Sequence, residues 1–471
     1  MTAQLTKLAQ KLLGILEKDR ANHLDKIERY FHGYHDDPYM PDGADAEYKL
    51  LVQRSVYNLC DLVVSTPTQA LYVDGFRPGG WQPTPGQPVT IPEEWDHWQY
   101  SRMYARQSAI HQSAITYGHS FTVTERDKKG KIITRGLSPL RTAAVYEDPA
   151  NDIVPAAALT IKKYPSFDGK GNPVSGVAVM WDDTYRYDVS FGHDDKVTVS
   201  KGKKPGASEC PVTRFAASVD LEGRTLGVVE PIIPVQDRIN QTILDLLVAQ
   251  SGGAYVTKTI TGMAPPLVLN PDGTPKIGDD GRPIPAPINM NAKRWLFAED
   301  ENVEFGSLPA TPLAGYVEAA ELAVRQFSSK SQTPPHHLLG QIANLSADAL
   351  RAAELSLSRK VASFQKAFGE SWERVFRIAG ELNGNMEIAE DVHGEVLWRD
   401  MDATSISATA DALVKLKDVG VPVQGLWPRV PGVTQGELER WAELADSENL
   451  AGDLMKSINR ATTDTFEPEA S

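Results

Sequence analysis

The sequence predicts an α+β fold, and three observations favour that class. Helical periodicity fills much of the first 118 residues and returns in the second half of the chain. Between residues 120 and 201, short runs of β-branched and aromatic residues alternate with turn sequences. These runs lie too close together for helical crossovers, so an antiparallel sheet is predicted and a Rossmann-type fold is excluded.

The first thirty residues are predicted to form an amphipathic helix that ends at Gly33. Its apolar residues recur at three- and four-residue spacing, at Leu5, Leu8, Leu12, Leu16, Leu24, Ile27 and Phe31. A second helix is predicted over residues 47–67 and ends at Pro67. A third is predicted over residues 93–118, with Gly118 as its C-terminal stop.

Six strands are predicted in the middle of the chain. Their separators, such as RDKKG and SFDGKGNP, are rich in turn-forming residues. The strand runs are SFTVTE (120–125), KIITR (131–135), AALTIKKY (157–164), GVAVMW (176–181), TYRYDVS (184–190) and KVTVS (196–200).

Two long helices are predicted to bracket a small insertion. The first covers residues 226–250, with Pro231 and Pro234 near its start, where a missing N–H is tolerated. The second covers residues 312–330. Between them, strands are predicted at AYVTKTI and RWLFAE, separated by a stretch too rich in proline and glycine for a regular helix.

The segment SSKSQTPPHHLLGQIANLSADALR interrupts the second of these helices. Pro334 and Pro335 cannot continue the incoming helix, so residues 330–333 are predicted to unwind. Gly340 and Asn344 then permit a turn.

The longest helical pattern follows this break. Ser346 is its predicted N-cap, and Gly380 is predicted to lie just past its end. After it, MEIAEDVHGEVLWRD is predicted to form strands on either side of a turn. Two more helices are predicted over residues 406–420 and 434–457.

Composition limits the classes of function. At 471 residues the chain is long enough for two to four domains, and no apolar run approaches the length of a membrane span. The net charge is −14, and the last 91 residues hold 18 acidic and 7 basic residues. Stable nonspecific DNA binding needs many basic contacts to phosphate, so such a binder is excluded. The two cysteines fit a reducing compartment without a disulfide framework.

Motifs for catalysis or metal binding are absent from the sequence. There is no GxxxxGK[ST] loop, no GxSxG elbow and no HExxH pair. His32 and His35 are three apart but fit a helix end better than a zinc site. His336 and His337 could form a ligand pair or a pH switch, and a loop role is favoured. We therefore predict no catalytic residue, no cofactor and no metal.

The order of the segments resembles the portal proteins of tailed double-stranded DNA bacteriophages, especially those of long-tailed actinobacteriophages. The resemblance runs from about residue 5 to residue 445. It rests on the order of YFHGYHD, NLCDLVVSTPTQALYVDGFR, SAITYGHSFTVT, SPLRTAAVYEDPAND and GRTLGVVEPIIPVQDRINQTILDLLV, then the insertion, the returning helix and the broken long helix. No single motif among them is specific to the family.

The resemblance implies a function and a set of partners. Such portals are rings, commonly dodecamers, at one capsid vertex, and DNA enters and leaves through the central channel. The implied partners are further copies of the chain, the terminase large subunit, a head-completion or adaptor protein, the major capsid and scaffolding proteins, and DNA that passes without sequence recognition. The implied location is the virion, with assembly in the host cytoplasm.

The resemblance also implies a division of the chain and a set of site residues. The regions would be a wing (1–227, rejoined by 346–400), two stem helices (228–250 and 309–331), a clip (251–308), a tunnel loop (332–345) and a crown (401–471). The tunnel loop would present Pro334, Pro335, His336, His337, Leu338, Leu339, Gln341, Ile342 and Asn344 to the channel, with Leu338, Leu339 and Ile342 packing between neighbouring subunits. Basic channel residues would be Lys258, Lys293, Arg325 and Lys330. Docking at the clip would use Pro265, Pro266, Lys276, Arg282 and Arg294.

Two other classes of protein are weighed against a portal. A hydrolase or transferase with an α+β core and a mobile insertion would need a convergent polar site, which no spacing in the sequence suggests. A peripheral membrane or scaffold protein could use the amphipathic N-terminus. Four acidic residues on that segment disfavour binding to anionic lipid: Glu17, Asp19, Asp25 and Glu28.

Overall fold

The structure is a computed structural model of the chain. It describes residues 2–42, 46–79, 93–192, 196–204, 206–254, 258–262, 267–278, 281–284, 286, 303–307, 312–340, 347–399, 406–430 and part of 433–447. The chain divides into two compact units. The first unit comprises residues 1–36, 57–238 and 323–471, and the second unit comprises residues 37–56 and 239–322.

Helices dominate both ends of the chain, and the α+β class is confirmed. They are α1 (Thr2–Asp19), α2 (Asp25–Phe31), α3 (Ala46–Arg54), α4 (Cys60–Gln69), α5 (Glu93–Tyr100), α6 (Met103–Tyr117), α7 (Ile233–Ala254), α8 (Ala314–Ser331), α9 (Pro335–Leu339), α10 (Ala347–Asn383), α11 (Met386–Ala389), α12 (Ile406–Asp418) and α13 (Val423–Leu426). A π-helical turn, Arg20–Leu24, joins α1 to α2, so the predicted N-terminal helix continues to residue 31.

The strands pair antiparallel throughout the described chain, as predicted. They are β1 (Val73–Arg77), β2 (His119–Arg126), β3 (Ile132–Leu137), β4 (Thr142–Val145), β5 (Ala157–Lys163), β6 (Ser166–Phe167), β7 (Pro173–Val174), β8 (Gly176–Asp182), β9 (Arg186–Phe191), β10 (Val197–Val199), β11 (Val212–Ala216), β12 (Lys258–Thr261), β13 (Glu304–Ser307) and β14 (Glu395–Trp398). The sequence missed β1, β4, β6, β7, β11 and β13, which are short, with two to five residues each.

Two sheets of the first unit pack face to face. One has the order β10-β9-β8-β5-β4, and the other has the order β11-β2-β3. Alternate residues of β8 point to opposite faces of the five-stranded sheet. Val179 and Trp181 pack against the three-stranded sheet, whereas Ala178 and Met180 point to the opposite side.

Helix α1 covers that opposite side of the five-stranded sheet. Leu12 and Leu16 are buried there with Leu159 of β5 and Val189 of β9. The apolar stripe read from the sequence therefore marks the buried face of α1.

The long helix α10 supplies the aromatic centre of the first unit. Trp372 lies 4.8 Å from Trp98 and 4.6 Å from Phe215, measured between ring centroids. Phe376 lies 4.4 Å from Phe76 on β1, which pairs with β14 from more than 300 residues away. Helices from the start of the chain, strands from the middle and α10 thus share one core.

Two predicted helices are each broken by tertiary contacts. The one predicted over residues 47–67 splits into α3 and α4 and continues past Pro67, so that prediction was wrong. Gln236 of α7 holds the break, because its Oε1 accepts from Leu59 N at 3.1 Å.

The other predicted helix splits into α5 and α6 at Arg102, which has a left-handed φ of 56°. Ser101 beside it is buried, and its Oγ accepts from Thr134 N of β3 at 2.9 Å. The predicted stop at Gly118 is confirmed by its φ of 92°.

Helix α10 runs past Gly380, which was expected to lie beyond its end. A Cβ at Gly380 would stand 2.4 Å from Ile388 Cγ2, so glycine there permits the close approach of α11. Helix α11 itself replaces the first of the two strands predicted in MEIAEDVHGEVLWRD, because Asn385 caps it through its side chain. The second strand is confirmed as β14.

The second unit contains α3, most of α7, the start of α8 and the small sheet β12-β13. In the Pro/Gly-rich stretch, the described residues form turns and two isolated bridges, Leu269–Pro275 and Ile277–Pro283. The strand predicted at RWLFAE lies outside the described residues. In the described chain, no helix combines the length and apolar character that crossing a membrane requires.

Candidate functional site

The break after α8 is an ordered junction over the described residues 332–340. Helix α8 continues through Ser331, one to two residues further than predicted, and only Gln332–Pro334 leave the helical path. Gln332 has a left-handed φ of 54°. Ser328 fixes the reversal, because its Oγ donates to Thr333 O at 2.7 Å and its own carbonyl accepts from Thr333 N at 3.2 Å.

A short helix, α9, occupies the position expected to be an open loop. Pro334 precedes it in an extended conformation, and Pro335 is its first residue, where proline is well tolerated. Gly340 ends it with a φ of 66°, as the sequence suggested. Leu338 is 3% exposed, so its side chain packs inside its own chain rather than between neighbouring subunits as expected.

The two histidines of α9 meet a carboxylate of α10. His336 Nε2 lies 2.7 Å from Glu354 Oε1, and His337 Nε2 lies 2.9 Å from the same oxygen. His336 is largely buried, whereas the side chains of His337 and Glu354 are about one-third exposed, at 37% and 32%. We call His336, His337 and Glu354 the histidine cluster.

A lysine of α10 caps the C-terminal end of α8. Lys360 Nζ donates to Ser331 O at 2.7 Å, which satisfies a carbonyl at the helix C-terminus, where positive charge is favourable. Burial lowers the pKa of Lys360 to about 8. The lysine and the histidine cluster therefore join α8, α9 and α10 by side-chain contacts.

Further along α10, a buried arginine holds the helix against β11. Arg374 Nη1 donates to Val212 O at 2.9 Å and to Thr213 Oγ1 at 2.6 Å, and Nη2 donates to Cys210 O at 2.8 Å. Because the planar guanidinium donates to three acceptors on and beside β11, it fixes the position of the helix along the strand.

A buried histidine fixes α10 from the other side. Trp372 Nε1 donates to His111 Nε2 at 2.9 Å, and His111 Nδ1 donates to Leu71 O at 3.1 Å. Burial lowers the pKa of His111 to about 4, so the ring is neutral and its tautomer is set by these two bonds.

The residues predicted for the tunnel loop, the channel and the docking surface differ in how exposed they are within the chain. Pro334 is buried, and Pro335 is exposed; Leu339 is half-buried. The basic residues Arg325 and Lys330 are exposed on α8, and Lys276 and Arg282 are exposed in the second unit. Lys258 lies in β12. The residues Gln341, Ile342, Asn344, Lys293, Arg294, Pro265 and Pro266 lie outside the described residues.

Sequence reasoning missed Glu354, Lys360 and Arg374. Each sits on the predicted helix α10, where charged residues recur on the polar face and carry no local mark. Their partners lie 17 to 164 residues away along the chain. Only the position of Arg374 among apolar residues, between Trp372 and Val375, could have drawn attention to it.

Outside the junction, the two described cysteines and the groove against α1 lack the features of a reactive centre. Burial raises the pKa of Cys60 and of Cys210 to about 12, so both thiols are protonated and unreactive. A groove of about 610 Å³ between α1 and the five-stranded sheet is lined by Arg20, Asp25 and Tyr164. Arg20 bonds to both of the others, which leaves no activated nucleophile among them.

Comparison with known proteins gives a family match over nearly the whole chain. The family model described as "Phage portal protein, SPP1 Gp6-like" matches residues 16–449. The chain is 25% identical over 387 residues to a portal protein of Mycobacterium phage L5. The aligned region covers 78% of this chain and 73% of that protein. It is 31% identical over 160 residues to a portal protein of Mycobacterium phage D29, which covers 32% of each.

Similar solved structures come from gene transfer agent particles. A chain from the neck of an empty particle has a TM-score of 0.43 at 13% identity and covers 79% of this chain and 87% of that one. A chain from a native virion has a TM-score of 0.44 at 14% identity and covers 84% of this chain and 96% of that one.

Proposed function

The chain belongs to the SPP1 Gp6-like family of phage portal proteins, and from this premise we propose that copies of it form a ring at one capsid vertex. The central channel of that ring would carry the genome into the capsid and out again. One observation carries the proposal: the family match spans residues 16–449 and therefore includes both compact units. No arrangement of described residues favours a hydrolase or transferase.

The regions named from the resemblance are adjusted to the observed helices. We assign the stem to α7 and α8, at 233–254 and 314–331, and the clip to residues 255–313. The wing comprises residues 1–232 with α10 through β14, and the crown follows from residue 401. The tunnel loop comprises residues 332–346, of which α9 is the described part.

Surface chemistry supports ring formation. A closed ring joins subunits head to tail, so each subunit offers two different surfaces. Leu313, just before α8, and Val317 and Leu322 on α8 are 37%, 44% and 54% exposed within the second unit. Exposed apolar side chains on one helix are suited to a contact with the next subunit.

The charge of the chain supports a channel through which DNA slides. A wall with many basic residues would bind phosphate tightly, whereas this chain has a net charge of −14. Arg325 and Lys330 are exposed and are the described candidates for weak contacts with the DNA backbone. We assign Lys276 and Arg282 to the surface that binds terminase and, later, head-completion proteins.

Electron microscopy of the purified full chain tests the ring. We expect particles with a central hole and a countable number of subunits, and dodecamers are expected from the family. Sedimentation should give one large species at the same concentration. A chain that stays monomeric at high concentration, and also in a lysate that contains the scaffolding protein, would contradict the proposal.

Particles assembled with a charge variant test the channel. The double variant Arg325→Gln and Lys330→Gln should form normal rings but change the amount of nuclease-protected DNA by at least about twofold. Each lost phosphate contact changes how strongly the channel wall holds the DNA backbone. Lys366→Gln, an exposed lysine on α10, is the matched control and should leave packaging unchanged. Equal DNA content in all three would remove these residues from the channel.

A further inference from the structure

Two adjacent histidines and a glutamate converge at the junction of α9 and α10. The carboxylate oxygen of Glu354 lies within 3 Å of both Nε2 atoms, and the three donor atoms all lie within 4.8 Å of one another. The two imidazole rings are 4.5 Å apart between centroids. In the described chain this is the group of histidine, cysteine and carboxylate side chains whose geometry suits one ion.

Helix ends, packing and hydrogen bonds position the two halves of this cluster. Pro334 and Pro335 start α9, Gly340 ends it, and buried Leu338 fixes its orientation. Glu354 stands on α10, which is held further along by Arg374. Both halves of the cluster are thus positioned by contacts that do not involve the cluster itself, as a metal site requires.

We propose that His336, His337 and Glu354 bind a divalent transition-metal ion of the Zn²⁺ class. Two imidazole nitrogens and one carboxylate oxygen are a donor set that suits Zn²⁺ and its neighbours in the first transition row. Mg²⁺ and Ca²⁺ prefer sites made of oxygen alone, so the histidines select against them. The proposal is independent of the ring and of the channel.

Small movements convert the observed arrangement into a coordination site. Tetrahedral ligands at about 2.0–2.2 Å from zinc lie roughly 3.3 Å apart, so each N···O separation must open by about 0.5 Å. The two histidine donor nitrogens, which lie within 4.8 Å of each other, must reach the same spacing. Each neutral imidazole places its proton on Nδ1, and its Nε2 lone pair then points at the ion. Water completes the coordination on the open side, where His337 and Glu354 are partly exposed.

A second histidine–carboxylate contact in the same chain offers a natural contrast. His23 Nδ1 lies 2.7 Å from Glu230 Oε1, as close as His336 to Glu354, but no third donor joins that pair in the described structure. Since two protein ligands bind zinc far more weakly than three, the His23 pair should not retain an ion.

The proposal predicts one metal ion per chain. Tag-free full-length protein is treated with a chelator, and Zn²⁺ is titrated by calorimetry; Co²⁺ in a parallel sample reports coordination through its visible absorption. Thermal unfolding with and without Zn²⁺ should show a rise in Tm, because the ion binds the folded state.

Four variants test whether the histidine cluster, rather than another histidine, binds Zn²⁺. His337→Gln and Glu354→Gln keep side-chain size and hydrogen-bonding capacity, and each should weaken Zn²⁺ binding at least about tenfold and abolish the shift in Tm. His23→Gln and the exposed His393→Gln are matched controls and should bind as the parent does. Circular dichroism confirms that all four remain folded.

Two results would overturn the proposal. One is the absence of saturable Zn²⁺ binding to the chelator-treated parent. The other is an equal affinity in the parent and in folded His337→Gln. Ring formation is scored separately by microscopy, so failure of the metal site and failure of the portal function are distinguishable.

Discussion

The two compact units differ in how much of their apolar surface is buried within one chain. In the first unit, the largest fully buried side chains include three tryptophans, Trp98, Trp181 and Trp372. Among the described residues of the second unit, the buried apolar side chains are Val52, Ile239 and Leu244. The first unit therefore has an extensive core of its own, whereas the described residues of the second unit bury few apolar side chains within a single chain.

This difference separates two sources of stability. The first unit should owe its free energy of unfolding to burial and internal hydrogen bonds, as in an ordinary domain. The second unit exposes Leu322, Leu269 and Ile277 at 54% to 60%, and it should gain order when a neighbouring surface covers them. Four predictions test this contrast, ordered from the largest to the smallest expected effect per side chain.

The largest effect is expected from Trp372→Ala in the core of the first unit. The change leaves a cavity beside Trp98 and Phe215 and removes the hydrogen bond to His111. The free energy of unfolding should fall by about 3–5 kcal/mol in a urea titration. Leu322→Ala in the second unit is the control and should change it by less than about 0.5 kcal/mol. Equal losses of unfolding free energy in the two variants would contradict the proposed difference between the two units.

A smaller loss is expected from Arg374→Met. The change leaves the carbonyl oxygens of Cys210 and Val212 without the guanidinium donor, and the free energy of unfolding should fall by about 2–4 kcal/mol. Arg359→Met, an exposed arginine on the same helix, should cost less than about 0.5 kcal/mol. A loss below 1 kcal/mol at Arg374 would show that α10 is held by packing alone.

Mild acid should destabilise the first unit selectively. Burial lowers the pKa of His97, His111 and His119 to about 4, whereas an unfolded histidine titrates near 6.5. The unfolded chain then binds more protons between these values. The free energy of unfolding is therefore complete above pH 6.5 and falls as the pH drops toward 4, by about 1–3 kcal/mol per histidine.

Hydrogen exchange locates that loss, because all ten histidines belong to the first unit. At pH 5 compared with pH 7, and after correction for the intrinsic exchange rate, amides of α6 should lose protection. Amides of α7 from residue 239 onward should not. A parallel loss in both would mean that the two units unfold together.

The smallest effect on a single chain, and a large one on assembly, is expected from Val317→Ser. Val317 is 44% exposed on α8, so the free energy of unfolding of the monomer should change by less than about 0.5 kcal/mol. Sedimentation should show weaker association, since a neighbouring subunit no longer buries the valine. Unchanged association would place this face of α8 outside the subunit contact.

Local patterns predicted most single elements, and long-range contacts decided where they stop and meet. Periodicity placed α1, α8 and α10, and turn residues separated the strands β2, β3, β5, β8, β9 and β10, because these signals depend on neighbours a few residues away. The break at Arg102 could not be predicted from such signals. It depends on a hydrogen bond from β3, more than thirty residues further along the chain.

The candidate site shows the same division. The sequence predicted a loop rather than α9, but it marked Pro335 as a break and Gly340 as a turn. These residues bound the observed helix, since the fixed φ of proline and the freedom of glycine hold in any context. The meeting of His336 and His337 with Glu354 depends on the angle at which α9 approaches α10, which the packing of Leu338 helps to set.

The sequence by itself determined the α+β class, the antiparallel β-rich middle, the paired long helices around an insertion, and the order of segments by which the family is recognised. The tertiary structure alone decided the separation into two facing sheets, the pairing of β1 with β14, the hold of Arg374 on β11 and the histidine cluster. The physical reason is range. Propensity and periodicity act over one or two turns of chain, whereas these contacts join side chains that only the folded core brings together.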